Sequence, residues 1–126
     1  KRLEIKAEDE KEKLRSALKE ISGKTDKIIL LSHAGYDEDI QLALEFPVID
    51  LIVGGHSQTE LQEPKAVGKT LILQAGFNGN VVGQLDLVFS GKEISSSKNK
   101  LIPLDGSIPE DAVFKINIDR WMKKKK

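Results

Sequence analysis

The two histidines of the chain are the first side chains that could carry chemistry. His33 comes two residues after the apolar run 28–31, and His56 comes three residues after the strand-like run 49–53. Imidazole is the commonest neutral metal ligand, and Gln58 could add a carboxamide oxygen from the same turn as His56. From spacing alone, metal binding by His33, His56 and Gln58 and a structural hydrogen-bonding role for the histidines both remain open.

Both histidines are expected at one edge of a sheet. In open α/β sheets the loops after the carboxyl ends of the strands converge, and ligands bind there. A third loop, Gln74-Ala75-Gly76, also follows a strand-like stretch. Gly54 and Gly55 would let the turn before His56 approach a metal without a Cβ clash. The sequence therefore predicts a candidate site where these three loops meet.

Other kinds of site fit less well. The segment 67–70 has the end of a phosphate-binding P-loop, but the first glycine of that motif would have to stand at Glu63. Ser57 is not in the G-x-S-x-G motif of a serine hydrolase. The acidic run 37–39 is better explained as a helix start than as a calcium loop. The chain has no cysteine, which excludes disulfides and thiolate metal sites.

In the front half of the chain, predicted strands alternate with predicted helices, and these elements must position the site. A capping residue, Asp9, and an apolar stripe predict a helix over 9–22, and a second helix is predicted over 36–46. The runs 28–31 and 49–53 have the pattern of strands buried on both faces, the first of them central in the sheet. With a short strand at residues 3–5, this order predicts parallel βαβαβ pairing.

The back half predicts an antiparallel meander of strands over 70–73, 81–89 and 100–104. Asn78-Gly79 and Ser90-Gly91 are strong reversal signals. For residues 109–122, Pro109 and the spacing of polar and apolar side chains favour a helix, whereas the β-branched content argues against one.

Composition limits the class of protein. The chain has 126 residues, with 20 basic and 20 acidic side chains, so its formal net charge is zero and nothing indicates nucleic-acid binding. Its apolar runs are far shorter than the roughly 20 residues that span a bilayer. The chain begins at Lys1 without a signal region, and we interpret this as a cut end; Lys123 to Lys126 are interpreted as a solvated tail.

Four ordered blocks resemble the bacterial 5′-nucleotidase and UDP-sugar hydrolase branch of the calcineurin-like metallophosphoesterases. They are IILLSHAGYDED at 28–39, IDLIVGGHSQT at 49–59, LQAG at 73–76 and VGQLDL at 82–87. The resemblance covers about residues 1–106 and implies the C-terminal half of a four-layer α/β/β/α sandwich. We assign residues 1–126 as a whole to this part of the domain, with 107–126 as a helix and tail. It implies hydrolysis of nucleotides or related phosphate esters with two divalent metals, whether Zn, Mn, Mg or Ca. His33 and His56 would bind one metal and Gln58 the other.

The first half of the family's domain is not in this sequence. There an Asp-x-His pair, a bridging Asp and an Asn-His-Glu or Asn-His-Asp motif supply the other ligands and the catalytic His, so the resemblance implies no catalytic residue here. We expect the chain to be inactive without that half, its first partner, and to self-associate through an exposed sheet. The alternative is a non-catalytic binding or self-assembly module. For the parent, the resemblance implies a periplasmic or extracellular location.

Overall fold

Three helices and six strands make up the described part of the chain, residues 8–124 of a computed structural model. The predicted strand at residues 3–5 and the last two lysines of the predicted tail lie outside the described residues. The elements are α1 (Glu10–Ile21), β1 (Ile29–Leu31), α2 (Tyr36–Glu45), β2 (Leu51–Val53), β3 (Lys65–Val67), β4 (Thr70–Leu73), β5 (Val81–Ser90), β6 (Glu93–Pro103) and α3 (Ala112–Lys123).

The larger sheet has four strands in the order β1-β2-β4-β3. β1, β2 and β4 are parallel, with Leu30 opposite Ile52 and Ile52 opposite Ile72. The parallel pairing predicted for the front half is therefore confirmed. β3, which the sequence did not predict, pairs antiparallel with β4 through a tight turn at Gly68, where φ is +58°.

The smaller sheet is the β5–β6 hairpin, which has a bulge between Val88 and Phe89. The predicted three-stranded meander is wrong in one respect, because residues 70–73 pair in parallel with β2 instead of joining the hairpin. Asn78 and Gly79 do form a turn with positive φ, but it leads from one sheet to the other. The fold class, an α/β front part followed by an antiparallel part, is confirmed.

Side-chain caps define where two of the helices begin. The Asp9 carboxylate accepts from the amide of Glu12 at 2.9 Å, as the predicted N-cap requires. Asp111 likewise accepts from the amides of Val113 and Phe114, so residues 112–123 are helical and their β-branched content does not prevent it. Pro109 lies before this helix and not in its first turn. Between residues 8 and 124, no helix has the length and apolarity to cross a membrane.

The core lies between α1, α2 and one face of the larger sheet. Its buried side chains are Leu18, Ile28, Leu42, Ala43, Phe46, Ile49, Ile52 and Ile72. The prediction that β1 is a central strand buried on both faces is wrong for residues 8–124: among these strands β1 lies at the sheet edge, and Ile29 and Leu31 are 59% and 79% exposed. The physical reason is that alternate residues of a strand face opposite sides, and the described chain places helices against only one of them.

Candidate metal-binding site

The predicted edge of the sheet brings the two histidines together. His33 follows β1 and His56 follows β2, and the two strands are parallel neighbours, so both loops leave the sheet at the same end. The ring centroids are 5.3 Å apart and the ring planes make an angle of 73°. Both side chains are exposed, and neither belongs to the apolar core.

This separation suits a shared cation. Two imidazoles bound to one tetrahedral Zn²⁺ through bonds of about 2.0–2.1 Å have ring centres about 5 Å apart. The nitrogen Nδ1 of His33 lies on the side of the ring that faces Gly55, because a Cβ at Gly55 would be only 3.0 Å from it. Within residues 8–124, no group of three or more His, Cys, Asp and Glu could hold a metal ion. The two imidazoles fit a cation site that needs further donors.

The third predicted ligand, Gln58, lies in the same turn as His56, and both residues have an unusual backbone. Their φ angles are +69° for His56 and +59° for Gln58. A residue other than glycine in this left-handed region is strained, by roughly 1–3 kcal/mol. Two strained residues at alternate positions persist only if the surrounding structure holds them, and such strain is concentrated at functional sites.

Gln74, in the third predicted loop, forms hydrogen bonds to this turn through its buried side chain. Its side chain is only 3% exposed. Its Oε1 accepts from the Ser57 hydroxyl at 2.8 Å and from the Thr59 amide at 2.7 Å, and its Nε2 donates to the carbonyl of Gly55 at 2.7 Å. The sequence indicated that the Gln74-Ala75-Gly76 loop reaches the site, but it gave no sign of this buried hydrogen-bonding role.

Gly54 and Gly55 make room for side chains of the protein itself. A Cβ at Gly54 would lie 2.2 Å from Oδ2 of Asp39 and 2.9 Å from Nε2 of Gln74. Each contact is shorter than van der Waals distance, so only glycine fits without a shift of its neighbours. From the sequence, these glycines were expected to let the turn lie close to a metal. In the structure they also let Asp39, Gln74 and His33 pack closely against the turn.

Asp39 is the one fully buried carboxylate among the described residues. It lies in the first turn of α2, as the acidic run predicts, but its exposure is 0%. Burial raises the pKa of this carboxyl group; the Ser32 hydroxyl opposes the shift and the charge of Glu38 adds to it. Burial is the largest of these influences, and within residues 8–124 neither carboxylate oxygen has a hydrogen-bond partner that would stabilise its charge.

Several characterised proteins are similar to this chain. The trifunctional nucleotide phosphoesterase YfkN of Bacillus subtilis is 32% identical in an alignment of 104 residues that covers 78% of this chain and 7% of that protein. Human 5′-nucleotidase is 32% identical, over 76% of this chain and 20% of its own length. A snake venom 5′-nucleotidase of Macrovipera lebetinus is 31% identical, over 75% and 28%. No protein-family model matches the chain.

Two solved structures share the fold. The sulfate thiohydrolase SoxB of Thermus thermophilus, solved with glycerol, matches with a TM-score of 0.77 and 27% identity, over 94% of this chain and 21% of that protein. A 5′-nucleotidase-type structure from Staphylococcus aureus matches with a TM-score of 0.64 and 22% identity, over 84% and 24%.

The matched blocks and the fold lead to the same family. The chain spans less than a third of the length of each of these relatives. Its parallel sheet and following hairpin superpose on the corresponding region of the SoxB structure. The chain belongs to the 5′-nucleotidase family of metallophosphoesterases.

Proposed function

We propose that this chain is the C-terminal part of a two-metal phosphohydrolase domain that acts on nucleotides or related phosphate esters. The observation that carries the proposal is the pair of exposed imidazoles at the sheet edge, whose 5.3 Å separation suits one shared cation. The names of the relatives, nucleotide phosphoesterase and 5′-nucleotidase, support the substrate class.

In this domain His33 and His56 would bind one divalent cation and Gln58 the other. When bound, such cations lower the pKa of a coordinated water and stabilise the charge on the phosphoryl oxygens. The contribution of this chain is to fix the donors: the parallel strands β1 and β2 set the spacing of the imidazoles, and the strained turn presents Gln58. Three neutral donors do not balance two dications, so carboxylates from outside this chain are required.

The missing half of the domain is the first partner that we propose for this chain. Ile29, Leu31 and Val53 are exposed on the sheet face that no helix of residues 8–124 covers. An apolar face of this kind fits the remaining half of the domain, which would also bring the missing carboxylates and the catalytic His. The chain alone is then inactive. We extend the proposal to export of the parent protein to the periplasm or the cell surface, since one relative is a snake venom enzyme.

A zinc titration of the 126-residue chain tests the cation site. The chain has only two histidines, so its imidazole NMR signals report directly on the proposed ligands. We expect the signals of both rings to shift with the same dependence on Zn²⁺ concentration and to return when a chelator is added. His56→Ala should greatly weaken the response of His33. Zinc that shifts neither ring, or only one, contradicts a shared site.

The exposed sheet face also favours a second candidate function, a non-catalytic self-assembly module. If β1 pairs or packs with a second copy, sedimentation velocity should show a dimer that becomes more populated as concentration increases. Leu31→Lys places a charge in this face and should shift the equilibrium to monomer, whereas Ile116→Lys on α3 serves as the matched control. A chain that stays monomeric at about 100 µM, well above typical interface affinities, rules out self-assembly.

A further inference from the structure

Gln74 contacts the turn that carries His56 and Gln58, although it lies in the loop after a different strand. It directly follows β4, whereas the turn 54–58 follows β2. The orientation of its amide is fixed by two backbone partners: the Thr59 N–H can only donate, so it faces Oε1, and the Gly55 carbonyl can only accept, so it faces Nε2. The Ser57 hydroxyl must therefore donate to Oε1.

Ser57 extends this arrangement to the loop that carries His33. Its oxygen accepts from the amide of Tyr36 at 3.0 Å. Tyr36 is the first residue of α2, and the first amides of a helix have no partner within the helix, so this one is satisfied by Ser57. Because the single proton of Ser57 goes to Gln74, the Thr59 hydroxyl, 3.0 Å away, must be the donor in its contact with Ser57. The two histidine loops are thus joined through one hydroxyl.

The hydrogen bonds of Gln74 alternate with the strained residues. They are made to Gly55, Ser57 and Thr59, and the two residues between these positions are His56 and Gln58, both with positive φ. Each strained residue is therefore clamped on both sides by a partner of one buried amide. Loss of the amide would free the turn to relax, and both side chains would change direction.

We propose that Gln74 is the positioning residue of the cation site: it holds the turn 55–59 in the conformation that presents His56 and Gln58, and through Ser57 it fixes the loop of His33. This inference rests on the proposed function of the site. Gln74 does not itself touch the cation. It acts on the direction of the ligands, and supporting residues of this kind typically change metal affinity by about 10–100-fold.

The experiment compares Gln74→Met with Thr70→Val in the 126-residue chain. Methionine has a similar length and makes none of the three hydrogen bonds. Thr70→Val is the matched control, because Thr70 begins β4, the strand that Gln74 follows, is fully buried and donates one hydrogen bond to the carbonyl of Ile49. We expect Gln74→Met to weaken Zn²⁺ binding at least tenfold and Thr70→Val to leave the affinity unchanged, although both lower the melting temperature.

A metal-free readout separates this inference from the proposed function. In Gln74→Met without zinc, the amide NMR signals of residues 55–59 and the His56 ring signals should move or broaden, and in Thr70→Val they should not. If the wild type binds no zinc, the proposed function fails, but these signals still decide the role of Gln74. Signals and zinc affinity that are the same in Gln74→Met and wild type overturn the inference.

A second pair of variants covers the case in which Gln74→Met does not fold. Ser57 is exposed, so Ser57→Ala removes the joining hydroxyl with little effect on the core. We expect Ser57→Ala to weaken zinc binding several-fold and to move the His33 ring signals, and Ser57→Thr, which keeps a hydroxyl, to restore both. A Ser57→Ala variant that matches the wild type in both measurements disproves the connection between the two loops.

Discussion

Replacing His56 with alanine in the longer phosphohydrolase that we propose is expected to lower kcat/KM for a nucleoside monophosphate at least about 100-fold. This estimate starts from the 10–100-fold losses typical of residues that only support a metal ligand, since removal of a ligand itself should cost more. The imidazole lies 5.3 Å from that of His33, centroid to centroid, and no other histidine exists in the chain to replace it.

The assay should be run with saturating Zn²⁺ or Mn²⁺ and compared with Asn117→Ala on the exposed helix α3. That variant should keep wild-type activity, because Asn117 is exposed and far along the chain from the site loops. Circular dichroism melts of both variants establish that they are folded. Hydrolysis that continues at the wild-type rate after His56→Ala would falsify the proposed role of this residue.

Replacing Gly54 with alanine is expected to lower the free energy of unfolding by about 3 kcal/mol or more, at the upper end of the cost of overpacking a core. The added methyl group would lie 2.2 Å from Oδ2 of Asp39 and 2.9 Å from Nε2 of Gln74. Asp39 is 0% exposed and Gln74 is 3% exposed, so neither can move aside into solvent. Displacing Gln74 would also weaken its bonds to the turn.

Urea unfolding measures this effect, with Gly106→Ala as the matched control. A Cβ at Gly106 would have no heavy atom within 4 Å and no strained φ, so that variant should stay within about 0.5 kcal/mol of the wild type, as surface substitutions usually do. If Gly54→Ala is equally harmless, the turn and Asp39 are not packed as closely as their positions require.

The order of elements could be predicted from the sequence, but the surroundings of each strand could not. The apolar run 28–31 indicates a strand, yet apolarity does not tell whether this chain supplies the layer that covers its second face. The stretch 70–73 had the same difficulty: its pattern allows pairing with β2 or with β5, and the choice depends on long-range contacts. β3 is only three residues long and begins with Lys65, so periodicity gives almost no signal.

For the candidate site, too, the positions of residues could be predicted but their surroundings could not. The positions of His33 and His56 after parallel strands could be predicted, because strand direction alone places their loops at one edge. The buried state of Asp39 could not, since three consecutive acidic residues look equivalent until the rotation of α2 decides which one faces inward. Nor could the partners of Gln74, which come from a loop 15–19 residues earlier in the chain.

We expect the β5–β6 hairpin to unfold locally more readily than the larger sheet. The two strands contact each other along their whole length. The hairpin is joined to the rest by the hydrogen bonds of Asn99 to the carbonyls of Leu61 and Gln62 and by exposed ion pairs such as Lys92–Asp26. An isolated two-stranded ribbon is only marginally stable in water. Its amide hydrogens should therefore exchange with solvent sooner than those of β2 and β4, as a separate cooperative unit, while the strands that carry the histidines stay folded.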